Sequence, residues 1–308
     1  MSHRILITGS SGLVGTALIS ELASRNVRIQ QFDIRGGADA FGDVRDSQSV
    51  QKALQNCDGV IHLAAISRVV WGERDPDLCW STNVDGLRNV LDAAASSPCF
   101  PWVIFASSRE VYGQPLILPA SEETPLQPVN IYGRSKVEGE KLVDEARQNG
   151  LRACTIRLSN VFGTTFDHAD RVVPAFARGA VKGDALRVDG ANHTFDFTHV
   201  DDVARGIALL VEHLLAGKSL PPPIHFVSGL PTTLGELASL AIRIARSNSN
   251  TLIAPPRDFD VARFYGSPTR AHDLLGWTPF VGLKEGLTRL IQAFSEEKEV
   301  CSEEAVLP

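Results

Sequence analysis

The 308-residue chain has the composition of a globular protein, with 44% hydrophobic and 21% charged residues. Its net charge of −6 comes without a basic stripe, and its apolar runs are too short to span a membrane, so we expect neither nucleic-acid nor membrane partners. Five widely spaced cysteines without a C-x-x-C motif argue against disulfides and metal sites. With no signal-peptide pattern, they favour a cytoplasmic protein.

In the first half of the chain, apolar strand patterns alternate with segments of helical periodicity. This alternation predicts right-handed βαβ units and an α/β fold built on a buried parallel sheet. Strands are predicted over residues 4–8, 28–32, 59–64, 102–106 and 152–158, and helices over residues 13–24, 50–55, 78–95 and 133–148.

The second half of the chain is less regular. A strand is predicted over residues 224–227, a loop over 217–223, and helices over 174–182, 201–215, 233–246 and 283–294. The polar, acidic segment 296–308 is predicted to be a frayed tail. Because no composition shift marks a linker, we expect any second domain to be small and interleaved with the first.

A glycine-rich turn with the spacing G-x-x-G-x-x-G follows the first predicted strand. Gly9 permits the tight turn, Gly12 lets the backbone approach a pyrophosphate, and Gly15 allows close packing of helix and strand. The free N–H groups where the next helix begins favour a phosphate. The further contacts expected from this turn are Ser11, Leu13 and Val14.

The second predicted strand ends at Asp33, 18 residues beyond Gly15. A carboxylate here accepts hydrogen bonds from the adenine-ribose hydroxyls of NAD and repels the 2′-phosphate of NADP. The sequence therefore predicts an NAD site. Arg35 leaves NADP as the alternative, because an arginine at this place can hold that phosphate.

Further motifs extend this pattern. A Tyr-x-x-x-Lys segment joins Tyr132 to Lys136, a Ser-Ser-x-x-Val-Tyr-Gly segment begins at Ser107, and Leu-Gly-Trp ends at Trp277. With the glycine turn, these motifs resemble the extended branch of the short-chain dehydrogenase/reductase superfamily, which acts on nucleotide sugars. The resemblance implies NAD, a nucleotide-diphosphate sugar and a homodimer that pairs the helices predicted at 78–95 and 133–148.

The resemblance also implies a Rossmann-type doubly wound parallel sheet with a small interleaved C-terminal substrate domain. The NAD-binding domain is then residues 1–160, to which 194–228 return, and the substrate-binding domain is 161–193 with 229–295. Asn83 is an implied cofactor contact, with the alternative that it only bridges backbone segments. The other implied cofactor contacts are Asp43, Val44, Leu63, Ala64, Ala65, Tyr132 and Lys136.

Tyr132 and Lys136 are four residues apart on a predicted helix, so their side chains share one face. A nearby ammonium and the charge of oxidised nicotinamide both favour the phenolate, so we expect a lowered pKa for Tyr132. Tyr132 is then the base that accepts a proton from a sugar hydroxyl. The resemblance aligns Ser108 with the family's catalytic Ser/Thr, and Ser107 is the competing candidate.

The pair Arg109-Glu110 departs from the family's patterns. Its 4-epimerases usually carry a small uncharged residue at the Glu110 position, its 4,6-dehydratases carry an Asp-Glu pair, and its sugar-acid decarboxylases carry a Glu. The missing Asp argues against a dehydratase, because water elimination needs an acid as well as a base. The alternative role for Glu110 is a solvated ion pair with Arg109 or Arg134.

On the substrate side, the resemblance implies that Asn160 contacts the diphosphate and that the planar fork of Arg257 grips it. Phe195 stands where the family often has a second phosphate arginine. The candidates to replace that arginine are Arg171, Arg178 and Arg187. The expected sugar contacts are Ser67, Ser108, Arg109 and Glu110.

These features predict an NAD-dependent nucleotide-sugar epimerase, with C4 epimerisation of a UDP-hexose through a 4-keto sugar as the leading function. A nucleotide-sugar dehydratase, decarboxylase or ketoreductase is the alternative within enzymes. A dinucleotide-sensing protein on the same scaffold is the non-enzymatic alternative. The intact Ser108, Tyr132 and Lys136 argue against a sensor.

Overall fold

The structure is a computed structural model that describes residues 3–25 and 27–304. Its strands are β1 (His3–Thr8), β2 (Val27–Phe32), β3 (Gly59–His62), β4 (Trp102–Ser108), β5 (Ala153–Leu158), β6 (Asn160–Phe162), β7 (Leu186–Asp189), β8 (Thr194–His199), β9 (Ile224–Phe226), β10 (Pro231–Thr233) and β11 (Thr251–Ala254).

The helices connect these strands. They are α1 (Leu13–Ala23), α2 (Ser47–Ala53), α3 (Val69–Arg74), α4 (Pro76–Trp80), α5 (Gly86–Ala95), α6 (Ile131–Gln148), α7 (Val172–Lys182), α8 (Val200–Leu215), α9 (Leu234–Ala245), α10 (Thr269–Leu275) and α11 (Leu283–Glu304). A π turn at Ser81–Asp85 separates α4 from α5, and a 3-10 turn at Arg109–Tyr112 follows β4.

Within the described residues, six parallel strands form the main sheet in the order β2-β1-β3-β4-β5-β9. Ile5 and Ile7 point to the face covered by α1 and α8, and Leu6 between them points to the face covered by α2 and α5. Because successive side chains of a strand alternate, a continuous apolar run can bury both faces of the sheet. This arrangement confirms the expected Rossmann-type α/β fold.

A smaller unit follows, with a core of its own. Here α7, α9 and α11 pack around Phe176, Leu237 and Leu290. The strands of this unit form two short sheets, in which β8 pairs with β6 and β10, and β7 pairs with β11. The domain boundaries expected from the sequence remain a prediction.

The prediction of a single helix over residues 78–95 is wrong. A helix begins earlier, where Asp75 caps α4 and Pro76 takes its first position, and the π turn then interrupts it. Within that turn Asn83 points inward and hydrogen-bonds both backbone groups of Ile66. Such π turns occur mostly inside helices and often at functional sites. The homodimer expected through these helices remains a prediction.

The tail prediction is also corrected, because α11 continues to Glu304, ten residues beyond its expected end. The tail's last residues, 305–308, lie outside the described part of the chain. Across residues 3–25 and 27–304, no helix is both long and apolar enough to cross a membrane.

Candidate active site

The glycine turn between β1 and α1 has space only for glycine at two positions. Gly9 has a φ of +70°, and a Cβ there would lie 2.6 Å from the Ala64 backbone nitrogen. A Cβ on Gly15 would lie 2.4 Å from the Gly9 carbonyl oxygen. Among the described residues no side chain caps α1 at Gly12, so its first N–H groups are available to a ligand. This turn fits a dinucleotide pyrophosphate.

The Asp33 carboxylate is fixed at the end of β2. It accepts hydrogen bonds from the Ser11 N–H at 3.0 Å and from the Arg35 N–H at 2.8 Å. The Arg35 Nε lies 3.6 Å from Asp33 Oδ1, and Arg35 Nη2 donates to the Ser11 carbonyl. Asp33 thus lies beside the glycine turn, where the sequence placed the ribose contact.

The expected adenine and nicotinamide contacts line the same cavity, with one exception. Asp43, whose pKa is lowered by its hydrogen bond with Arg45, and the buried Val44 form one wall. Asn83 does not line the cavity, because its amide is used by Ile66, Cys79 and Ser135. These contacts match the bridging alternative for Asn83, and its role as a cofactor contact stays a prediction. The segment after β3 adds Leu63, Ala64 and Ala65.

Ser108, Tyr132 and Lys136 converge at the carboxyl end of β4. Asn130 caps α6 by accepting from the Gly133 N–H at 2.7 Å, and this cap sets the helix start that carries Tyr132. The Lys136 ammonium lies 5.8 Å from the centre of the Tyr132 ring and donates to the Ala106 carbonyl at 2.8 Å. All three side chains line the cavity.

The pKa of Tyr132 is raised in the protein alone, whereas the lowered pKa expected from the sequence includes the charge of bound nicotinamide and stays a prediction. Burial raises the pKa of Tyr132 to about 12, opposed by a hydrogen-bonding interaction with Ser108 and by the charge of Arg171. Burial also lowers the pKa of Lys136 to about 8. Desolvation disfavours phenolate and ammonium alike, and a sequence does not report it. The positive charge of oxidised nicotinamide opposes this rise when NAD is bound, so the role of Tyr132 as the base stays a prediction.

Ser107, the competing candidate, has a structural partner. Its hydroxyl donates to Glu140 Oε1 at 2.5 Å, and Glu140 also forms a buried ion pair with Arg157 at 2.6 Å. The Ser108 hydroxyl accepts from the Glu110 N–H at 3.2 Å and lies within hydrogen-bonding range of Tyr132. This difference favours Ser108 as the reacting hydroxyl.

Glu110 lies buried and ion-paired beside this group. Arg109 Nη2 is 2.8 Å from Glu110 Oε1, and the Asn130 amide donates to Glu110 Oε2 at 2.8 Å. The Arg109 guanidinium stacks 4.6 Å from the centre of the Phe195 ring. The ion-pair alternative thus describes Glu110, although the pair is buried where the sequence suggested a solvated one.

The same cavity carries the residues expected to hold a diphosphate. Asn160 follows β5, and its amide donates to the Asp196 carbonyl at 3.3 Å. Arg257 forms a two-pronged pair with Asp260, at 2.8 and 3.0 Å. Of the candidates to replace the missing phosphate arginine, Arg171 and Arg187 line the cavity and Arg178 does not.

The groups described above line one cavity of about 770 Å³. It brings together all the expected site residues except Asn83. Sequence reasoning missed Asp167 and His168, which precede α7 and line the cavity beside Trp71. No motif marked this segment, although its acidic and histidine residues next to Arg171 were a usable signal.

Comparisons with known proteins place this site in a family. The UDP-glucose 4-epimerase of Streptomyces lividans is 28% identical over 304 residues, covering 91% of this chain and 92% of that protein. UDP-glucuronic acid decarboxylase 1 of Danio rerio is 29% identical over 315 residues, covering 96% of this chain and 73% of that protein.

Solved structures give the same result. The crystal structure of the Thermotoga maritima UDP-glucose 4-epimerase with UDP-glucose has a TM-score of 0.86 and 26% identity, covering 96% of this chain and 99% of that one. Residues 5–224 match the model of the NAD dependent epimerase/dehydratase family. These findings confirm the resemblance and the NAD cofactor that it implied. The chain belongs to the NAD-dependent epimerase/dehydratase family.

Proposed function

We propose that this protein interconverts the C4 epimers of a UDP-hexose with NAD that stays bound through the cycle. Relatives such as the UDP-glucose 4-epimerases of Streptomyces lividans and Thermotoga maritima support the reaction and the nucleotide. The pairing of a dinucleotide turn with Ser108, Tyr132 and Lys136 in one cavity supports the chemistry.

In this reaction Tyr132 accepts the proton of the sugar's C4 hydroxyl, and Ser108 hydrogen-bonds the same oxygen. NAD supplies a reversible hydride acceptor when it is bound. Lys136 contacts the cofactor ribose and adds positive charge beside the phenolate. When the 4-keto sugar turns over in the cavity, Tyr132 returns the proton, and the product is the opposite C4 epimer.

The observation that carries the choice of reaction is the pairing of Glu110. Both of its oxygens have partners, Arg109 at 2.8 Å and Asn130 at 2.8 Å, in a buried setting. A dehydratase needs an acid and a base that are free to move protons at neighbouring carbons. Because Glu110 is held and its neighbour Arg109 is always charged, this pair favours epimerisation over elimination.

The cavity also carries residues that can hold the diphosphate. We assign Arg257 and Asn160 to it, with Arg187 as the replacement for the arginine missing at Phe195. Arg187 lies on β7 in the cavity lining, and its present partner is the neighbouring Asp189 at 2.8 Å. A phosphate can exchange with such a surface pair at low cost, because exposed ion pairs contribute little.

The test is NMR of the purified protein with a panel of nucleotide sugars, without added reductant. We expect a UDP-hexose to convert to its C4 epimer without loss of water or carbon dioxide and without net NADH. Deuterium placed at C4 should be retained, since the hydride returns to the carbon it left. Deuterium entering C5 from heavy water would show a dehydratase, and carbon dioxide release would show a decarboxylase.

A further inference from the structure

One corner of the cavity, formed by Ser67, Arg171 and the start of α7, carries a positive charge that the reaction above does not use. Arg171 Nη2 donates to the Ser67 hydroxyl at 3.1 Å, which ties the segment after β3 to α7. Val172 and Val173 continue the same wall of the cavity. This corner lies near Tyr132. The Asn83 amide donates to the carbonyl of Ile66, the residue before Ser67, and to the Ser135 hydroxyl, which in turn donates to the Tyr132 carbonyl.

Arg171 is less neutralised than Arg109 and Arg257, two other arginines that line the cavity. Arg109 and Arg257 each lie 2.8 Å from a carboxylate oxygen. The nearest carboxylate to Arg171 is Asp167, whose Oδ1 is 3.5 Å from Nε. Within residues 3–25 and 27–304, Nη1 of Arg171 has no hydrogen-bond partner. One side of its planar fork is therefore available to an anion.

The helix beginning adds to this charge. Arg171 is the N-cap residue of the 11-residue α7, and no described side chain caps that helix. The N–H groups of Val172 and Val173 and the positive end of the helix dipole therefore favour a negative group at the same corner. The arginine and the uncapped helix are independent features, and both favour an anion.

The position of this corner decides which anion it binds. Tyr132 takes the proton from C4, so C4 of the bound sugar lies next to it. The diphosphate is attached at C1, across the hexose ring from C4, where Asn160 and Arg257 hold it. An anion near Tyr132 is therefore on the sugar, and C6, attached through C5, is the exocyclic carbon next to C4.

We propose that the sugar is a hexuronic acid and that Arg171, with the Ser67 hydroxyl and the start of α7, binds its C6 carboxylate. This inference rests on the proposed function and names its substrate class. A guanidinium matches a carboxylate with two parallel hydrogen bonds, which a C6 hydroxyl cannot reproduce. The enzyme should therefore prefer UDP-glucuronate to UDP-glucose.

The experiment compares UDP-glucuronate with UDP-glucose on the NAD-loaded enzyme, by kcat/KM from NMR and by calorimetric binding. The variants are Arg171→Gln, Arg171→Lys and, as a matched control on the same helix, Arg178→Gln. Arg178 lies against the Phe294 ring and outside the cavity. Because the Arg171 side chain does not cap α7, Arg171→Gln should fold, and NAD binding and circular dichroism check this.

We expect the wild type to favour UDP-glucuronate at least about tenfold. Arg171→Gln should lose that preference, Arg171→Lys should keep part of it, and Arg178→Gln should keep all of it. Equal losses for both sugars in Arg171→Gln, or a wild type that binds UDP-glucose as tightly, overturn the proposal. If neither sugar is epimerised the proposed function fails, and calorimetric binding alone then decides the carboxylate site.

Discussion

The Asn130 amide donates to the Glu110 carboxylate across 2.8 Å, while the Asn130 oxygen caps α6 at Gly133. One side chain thus joins the pair Arg109-Glu110 to the helix start that carries Tyr132. Glu110 is part of the support of the catalytic group. A change at Glu110 should therefore affect the position of Tyr132 as well as local charge.

Glu110→Gln tests this assignment directly. Gln can still accept a hydrogen bond from Asn130, but it leaves the buried Arg109 without its counter-charge. We expect a loss of about 1–3 kcal/mol in the free energy of unfolding and a fall in turnover of about tenfold, with the epimer as the product. Loss of all product, with NADH absorbance trapped after C4 oxidation, would instead identify Glu110 as an elimination acid or base.

Tyr132→Phe removes the base and keeps the ring. We expect turnover to fall about 10²–10⁴-fold while NAD still binds, measured by single-turnover kinetics and cofactor titration. Lys136→Ala should lower both turnover and NAD affinity, since Lys136 has two roles. A near-normal rate for Tyr132→Phe would show that another group takes the C4 proton.

The raised pKa of Tyr132, about 12 in the protein alone, gives a spectroscopic prediction. NAD carries a positive nicotinamide and NADH does not, so only NAD should bring the tyrosine toward its phenolate form at mildly alkaline pH. The measurement is ultraviolet phenolate absorbance on adding each cofactor. The signal should be missing in Tyr132→Phe, and equal signals with NAD and NADH would contradict the account.

Asp33→Asn tests cofactor choice with little change of shape, because the amide oxygen can still accept from a backbone N–H. We expect weaker NAD binding, by about tenfold, and stronger NADP binding, since Arg35 loses the carboxylate 3.6 Å away and can pair with the 2′-phosphate. Fluorescence titration with both cofactors measures the change. Unchanged discrimination would show that Asp33 does not select NAD.

Arg257→Ala tests the diphosphate grip. Phosphate binding is common to ground and transition states, so KM should rise more than kcat falls. Loss of a charge-assisted contact of about 1.5–3 kcal/mol corresponds to an increase of about tenfold to a hundredfold in KM. Steady-state kinetics with the nucleotide sugar that the NMR panel identifies measures the KM. Arg246→Ala, at the residue that follows α9 and is not part of the cavity lining, is the control. An unchanged KM would indicate that Arg187, and not Arg257, binds the diphosphate.

Two buried histidines predict acid sensitivity. Burial lowers the pKa values of His62 and His225 to about 3. In the unfolded chain these histidines bind protons below about pH 6.5, whereas the folded protein keeps them neutral, so stability falls as the pH falls from about 6.5 to about 3. Each contributes a slope of about 1.4 kcal/mol per pH unit.

Urea denaturation between about pH 7 and pH 5 measures this slope. His62→Asn, which can still hydrogen-bond Thr8 through its amide, should reduce it by one histidine's share. The exposed His272→Gln is the control, and its slope should match the wild type. Equal slopes for wild type and His62→Asn would contradict the burial argument.

The residues proposed to bind the cofactor could be named from local patterns, and in the structure all but Asn83 line one cavity. Gly9 and Gly15 follow β1 and Asp33 follows β2, at the same edge of one parallel sheet. Their positions therefore depend on contacts close in the sequence, which local patterns can predict. The residues proposed to bind the sugar depend on distant contacts. Arg171 reaches Ser67 only because the segment before α7 folds across the cavity, which no local periodicity indicates.

Asn83 and Tyr132 illustrate two further properties that the sequence could not predict, a break in a helix and the effect of burial on a pKa. An apolar pattern over residues 78–95 fits a continuous helix, and the inserted π turn becomes visible only through the inward bonds of Asn83. The pKa of Tyr132 depends on how deeply its side chain is buried, and burial cannot be predicted from the neighbouring residues in the sequence.

The last strand of the main sheet has a consequence for synthesis of the chain. β9 pairs with β5 through Ile156 and Ile224, and residues 159–223 come between the two strands. While a ribosome is still making that stretch, the growing chain holds β5 with an open edge, and such edges attach readily to other unfinished chains. A fragment cut near residue 160 keeps this exposed edge permanently. The two units must therefore be expressed together, and truncation should produce aggregates where the full chain produces enzyme.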